Sequence, residues 1–255
     1  MAKLLVNADD FGLHRSVNEA VSEGVARGVI NSVSVMANGR APDYALLQQF
    51  QQKDVAVGAH LTWVGEPWLS NGLWLADWQQ FLTRLVWNRR VFLQALRVET
   101  KLQLQTLLDK GIKLSHIDSH QHIHHLPVVW RMVNQLKADY AISRVRVAHT
   151  SRPELGRSGV SAQLLATLAA HWFDKNQHVY CIGIRHTGHY TPVLLAEELR
   201  LCAGLDTELI VHPGLCNADL QTLYPEWGFD WAQEYEALCS NEFRSALIAS
   251  DFSLL

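Results

Sequence analysis

The chain lacks the features that would send it to several other classes. It has four cysteines, Cys181, Cys202, Cys216 and Cys239, and no CxxC pair, so neither a zinc ribbon nor a thioredoxin-like motif is indicated. Unpaired thiols fit a reducing compartment, and a cytoplasmic location is expected. There is no excess of one charge. Lys and Arg number 22 against 25 Asp and Glu, a formal net charge of −3, which gives no electrostatic footprint for nucleic acid. The densest basic cluster, Arg84, Arg89, Arg90 and Arg97, recurs on a predicted helix and reads as a solvated face. No apolar run reaches membrane-spanning length. The run from Leu4 to Val6 meets Asp9 and Asp10 at once and is too short for a signal peptide. Linkers, low-complexity segments and short internal repeats are missing.

What is present is an ordinary globular composition, 48% hydrophobic and 18% charged over 255 residues, enough for a single domain spanning 1–255. Apolar runs predict strands at Leu4 to Ala8, Ser32 to Ala37, Val55 to His60, Ile112 to Asp118, Arg144 to Ala148, Val179 to Ile184 and Glu208 to Val211. Helical periodicity falls between them: from Ser16, with Glu19 completing a capping box, from Pro42, over Gln79 to Lys110 as one long helix, Pro127 to Tyr140, Ser161 to Trp172, Pro192 to Ala203, and Trp231 to Cys239. Strand–helix alternation predicts a mainly parallel sheet. The expected fold is α/β, a distorted or incomplete (β/α) TIM-like barrel, with a doubly wound open sheet as the alternative. Asp9-Asp10-Phe11-Gly12 after the first strand, read as a turn, is not a phosphate-binding glycine pattern.

Five of the thirteen histidines lie in His116-Ile117-Asp118-Ser119-His120-Gln121-His122-Ile123-His124-His125. Neutral imidazole is the commonest metal ligand near neutral pH. If the run stays extended, His120, His122 and His124 share a side; if it turns helical, His120 and His124 share a face. Asp9-Asp10, His60, the histidine run and His212 all sit at predicted strand ends, which share one rim in a parallel α/β fold. Each has a bland reading on its own: a capping acid, a core histidine, a turn before Pro213-Gly214. Their coincidence points to a metal-assisted site.

Asn7-Ala8-Asp9-Asp10-Phe11-Gly12, His60-Leu61-Thr62, His116 to His124 and Val211-His212-Pro213-Gly214 resemble, in order, the motifs of the YdjC-type (ChbG-like) carbohydrate deacetylases. The resemblance spans residues 7 to 214. It implies a distorted (β/α) barrel, a divalent metal and hydrolysis of an N-acetyl group on a sugar. Carried over, it implies Asp10, His60 and His120 as metal ligands, Asp9 as general base and His212 as general acid. It leaves His122 and His124 behind the ligands or beside the substrate. The segment Trp63 to Lys110 matches the family pattern least.

The chemistry asks for such groups. An amide is a poor electrophile and water a poor nucleophile. A divalent ion polarises the one and activates the other, a free carboxylate takes a proton, and a histidine supplies one to the leaving amine. Two imidazoles with one carboxylate suit Zn²⁺, Co²⁺, Mn²⁺ or Ni²⁺ better than Mg²⁺; the resemblance favours Mg²⁺, so the ion, Mg²⁺ or Zn²⁺, stays open. Trp63 and Trp68, just past His60, are the candidate sugar platforms, whereas Trp74, Trp78 and Trp87 read as core. The expected partner is an acetylated amino sugar, with neither nucleic acid nor a transmembrane segment; a homodimer is left open. A hydrolase of a cyclic amide or phosphoester, and a non-catalytic sugar-binding module, are the competing readings.

Overall fold

The structure is a computed structural model and describes residues 1–148 and 179–254. The helix expected at Ser161 to Trp172 lies outside the described residues. Strand β1 (Ala2–Phe11) leads to α1 (Arg15–Ala26), then β2 (Ser32–Val35), α2 (Tyr44–Gln52), β3 (Ala56–Leu61), α3 (Trp78–Trp87), α4 (Arg89–Asp109) and β4 (His116–Ser119). A 3-10 stretch (His120–His125) precedes α5 (Pro127–Asp139) and β5 (Arg144–Val145). After the undescribed segment come β6 (Tyr180–Ile182), α6 (Pro192–Leu201), β7 (Thr207–Val211), α7 (Asn217–Leu223), α8 (Trp231–Leu238), α9 (Asn241–Ala249) and β8 (Phe252–Leu254).

The chain gathers into two units. The first is Met1–Asp9, His14–Val33 and Val147–Leu255, the second Asp10–Leu13 and Ser34–Arg146. In the first, the strand order is β2-β1-β7-β6, with β8 also on β1. There β1 runs parallel to β7 from Leu4↔Thr207 to Ala8↔Val211, and β6 parallel to β7. In the second, the order is β5-β4-β3-β2, with His60↔Asp118 in register across the parallel β3–β4 pair. Strand–helix alternation with parallel registers is the incomplete (β/α) barrel class. Among the described residues no helix is long and apolar enough to cross a membrane.

Parallel strands covered by helices are buried on both faces. Leu4, Val6, Ala8, Leu209 and Val211 are buried in the first unit, and Val57, Ala59 and Leu61 in the second. Asn7, Asp9, Asp10, His60, His116, Asp118 and Glu208 lie on the same strands and are buried too. Buried polar groups must find partners, and those partners build the site.

Several expectations are corrected. Asp9 and Asp10 belong to β1 rather than to a turn. The Ser16–Glu19 capping box does not form. His14 caps α1 through Nδ1, which accepts from Ser16 N, while Ser16 Oγ accepts from Leu215 N and Cys216 N at 2.9 and 2.6 Å and Glu19 pairs with Arg15. The long helix expected over Gln79 to Lys110 is two helices, broken at Asn88 (φ −138°, ψ 46°). The tryptophans are reversed. Trp63 and Trp68 are buried, Trp63 against Phe81 and Trp68 against Phe92, with their indole N–H groups donated to Thr100 Oγ1 and Trp63 O. Neither offers a free face to a sugar. Trp74, Trp78 and Trp87, expected in the core, are exposed.

Candidate metal centre

The second unit places Asp10 at the end of β1, His60 near the end of β3 and His120 just past β4. Asp10 Oδ1 lies 3.1 Å from His60 Nε2 and 3.3 Å from His120 Nδ1, and all three residues are buried. Each offers one ligand atom, the three within 4.8 Å of one another. Asp10 reaches this position through a left-handed backbone (φ 62°), costly for a residue with a Cβ and found where a side chain must be aimed. Gly12 (φ 92°) completes the reversal; its carbonyl accepts from Ala41 N at 2.8 Å.

The donor set fits a divalent ion. His60 Nδ1 lies 2.7 Å from Asp118 Oδ1. A carboxylate there can only accept, so Nδ1 carries a proton, and in the neutral ring Nε2 turns a lone pair towards Asp10. Neither Asp10 oxygen has a hydrogen bond of adequate geometry among the described residues. Lone pairs of a carboxylate and an imidazole facing each other call for a cation between them, and a carboxylate behind the histidine is the usual brace of a metal ligand. Burial by itself would raise the Asp10 carboxyl, but His120 and His60, when they carry positive charge in place of an ion, outweigh it and hold it well below the usual carboxylate range.

Asp118 is itself anchored. Ser34 Oγ donates to its Oδ2 at 2.6 Å and the buried Arg146 guanidinium reaches the same oxygen at 2.8 Å. Burial pushes Asp118 up, and Arg146 and His60 pull it further down, so it stays a carboxylate. His116 bridges Ser34 and Ser115. Its ring lies where a Cβ on Gly58 would sit, 2.2 Å from Nε2, so β3 needs glycine at that position. Asp118 was inside the histidine motif but had no role assigned to it, and Ser34 and Arg146 were not singled out at all. The available signal was a charged residue on a strand otherwise destined for burial.

The histidine run follows neither expected geometry. Gln121 and His122 are left-handed (φ 53° each), so the chain is neither extended nor regularly helical. Only His120 reaches Asp10. His124 is buried, with Nδ1 2.7 Å from Ser119 Oγ and Nε2 3.0 Å from Arg146 O; both ring nitrogens hold the loop. His122 is half-buried and packs edge-on to His124 and tilted against His125. Burial lowers all three: His124 to about 4, His122 and His125 well below the usual value.

In the first unit, Asp9 Oδ1 accepts from Asn7 Nδ2 at 2.7 Å, and Ser32 Oγ donates to Asn7 Oδ1. His212 follows β7 and is partly exposed, with its ring edge-on to Phe229. Its backbone N–H donates to Glu234 Oε2 at 2.6 Å, and Gly188 N donates to Oε1 of the same carboxylate at 2.6 Å. Glu234 Oε2 also lies 3.8 Å from His212 Nδ1. Gly188 is left-handed (φ 77°), and a Cβ there would meet the Phe229 ring at 2.2 Å. Glu234 is buried on α8 and had not been singled out: it lay in a stretch whose apolar positions already explained a helix.

Comparison with known proteins adds a family and a fold. A family model described as "YdjC-like protein" matches residues 3–249. A carbohydrate deacetylase of Clostridium beijerinckii is 30% identical over 142 residues, 55% of this chain and 58% of that protein. One from Vibrio parahaemolyticus is 31% identical over 143 residues, 55% and 57% of the two chains. One from Geobacillus stearothermophilus is 33% identical over 153 residues, 58% and 61%. The matched stretch thus spans about three-fifths of these relatives' length. The crystal structure of a proposed cellobiose-phosphate cleavage protein from Enterococcus faecalis superposes with a TM-score of 0.71 at 18% identity, covering 100% of this chain and 97% of that one. At that identity the likeness speaks for the fold.

Proposed function

Because the chain belongs to the YdjC-like family, we propose that it is a metal-dependent deacetylase, removing the N-acetyl group from a 2-acetamido sugar in an oligosaccharide or glycoconjugate. The observation that carries this reading is the buried Asp10–His60–His120 group with Asp118 behind His60. The carbohydrate deacetylase relatives support the substrate class.

Asp10, His60 and His120 would hold one divalent ion, and the mixed nitrogen and oxygen set suits Zn²⁺ or its neighbours better than Mg²⁺. A divalent ion held there would supply Lewis-acid polarisation of the amide carbonyl and a more acidic water. Asp9, next in the chain to a ligand and not one itself, acts as general base on the attacking water. Asn7 orients its carboxylate. His212 donates the proton that lets the amine leave, with Glu234 fixing its backbone. His124 positions the loop that carries His120, and His122 stands behind it.

The test is acetate release from chitooligosaccharides, single acetamido sugars and lipid-linked acetamido sugars, with and without a chelator. At least one acetylated sugar is expected to yield acetate, with loss on chelation and recovery on adding back a divalent ion. If none does, while a phosphoester or cyclic amide is cleaved, the deacetylase reading fails.

A further inference from the structure

The corner between α3 and α4 carries features that the proposed chemistry does not use. Trp87 is 87% exposed, Val86 76%, and Val91 and Val98 58% each, although such side chains are normally buried. Helix positions turn by about 100° per residue. Val91, Val98 and Leu102 therefore fall on one line along α4, and all three are exposed. Arg90, Arg97 and Lys101 fall on a second line, about 100° to one side. This is an apolar stripe with a basic rail beside it.

The charge is one-sided. From Trp78 to Val98 there are four arginines, Arg84, Arg89, Arg90 and Arg97, and no Asp or Glu, in a chain whose net charge is −3. Arg97 meets Gln135 and Asp139. Among the described residues Arg84, Arg89 and Arg90 have no ion-pair partner. The reading of this cluster as a merely solvated face does not account for the tryptophan and valines among the arginines.

Apolar side chains flanked by arginines, three of them without an ion-pair partner among the described residues, match an anionic bilayer surface. The apolar groups enter the headgroup–acyl boundary, tryptophan settles at the interface, and guanidinium groups meet lipid phosphates. A second copy of the chain fits less well, since a two-fold contact would face the same arginines across it with no acids to pair them. A nucleic acid would use the arginines and Trp87 but give the valines no role. We propose that the α3–α4 corner is a peripheral docking surface for an anionic membrane, with Trp87 and Val91 as apolar anchors and Arg84, Arg89 and Arg90 as phosphate contacts. The proposal assumes nothing about the reaction.

The full 255-residue chain is sedimented with vesicles of phosphatidylcholine alone and of phosphatidylcholine mixed with phosphatidylglycerol. Binding is expected to the mixed vesicles only, and to weaken as salt is raised. Arg89→Gln and Arg90→Gln are each expected to lower the partition coefficient about fivefold, the worth of one basic residue near an anionic surface. Trp87→Gln should weaken it too, with an unchanged circular dichroism spectrum because the side chain is exposed. Acetate release from a soluble sugar is followed on the same variants, so that failure of this proposal is separable from failure of the deacetylase reading. No binding, equal binding to both vesicle types, or variants that bind like the parent would overturn it. So would a dimer in sedimentation velocity that Trp87→Gln dissolves, which assigns the surface to a second copy, or displacement of the vesicles by a single-stranded homopolymer.

Discussion

At the residue scale, two adjacent acids have different surroundings. Asp10 faces His60 and His120, whereas Asp9 is held by Asn7. Asp10→Asn and His120→Ala are therefore expected to lose bound metal, while Asp9→Asn keeps it and loses turnover. Metal content by mass spectrometry and acetate release on the three purified variants decide the matter, and the reverse pattern would exchange the two acids. Asp118 touches no substrate in this reading and acts through His60. Asp118→Asn is expected to weaken metal affinity about 10- to 100-fold, the usual effect of removing the carboxylate behind a histidine ligand, while saturating metal restores most of the activity. The acids and histidines could be read from the sequence because they stand at strand ends. The brace could not, because Ser34, Asp118 and Arg146 lie on or beside three different strands and only folding makes them neighbours.

At the element scale, α4 does two jobs. Its inner face carries Glu99, Thr100 and Gln103, all buried. Glu99 accepts from Leu69 N and Ser70 N at 3.0 and 2.8 Å. Gln103 accepts from Thr62 N at 2.9 Å and donates to Thr62 O at 2.8 Å. A helix side chain thus replaces a neighbouring strand for the backbone just past His60. Gln103→Leu would leave the buried Thr62 amide without its acceptor, while the carbonyl keeps Asn38 Nδ2 at 3.1 Å, at a cost of about 1–3 kcal/mol. Urea unfolding should show that loss, and a midpoint equal to the parent's would mean that water or a shifted loop takes over. The segment had stood out only for its tryptophans and arginines. Its periodicity runs on through Asn88, so the sequence looks like one helix, and the break there depends on packing: Phe81 and Phe92, on either side of it, meet edge to face with ring centroids 5.0 Å apart.

On the scale of the whole molecule, three histidines, His124 and His125 buried and His122 half-buried, set the response to acid. Burial lowers His124 from 6.5 to about 4 and His122 and His125 well below 6.5. The unfolded chain binds these protons first as the pH falls. The stability they contribute is therefore complete above about pH 6.5 and lost as the pH falls towards 4. For His124 alone the linkage is worth roughly 3 kcal/mol, at 1.36 kcal/mol per pKa unit. The urea midpoint of the metal-free protein is expected to be flat above neutrality and to drop between those limits, less steeply in His124→Gln. A midpoint that holds constant down to pH 4 would show that these rings take up protons in the folded state.

The sequence by itself determined the alternation of strands and helices, and so a parallel sheet, because period and turn chemistry are local. It also determined which strand ends carry the acids and histidines, since polar residues on buried strands stand out without any structure. Tertiary structure alone decided which of the five clustered histidines turns to Asp10, because that depends on left-handed residues at Gln121 and His122. It decided which tryptophans are core, because burial depends on what α3 and α4 bring to the loop after His60. It also brought Glu234 to the backbone of His212 across 22 residues, because a buried amide takes whichever acceptor the packed chain delivers, and sequence distance does not enter that choice.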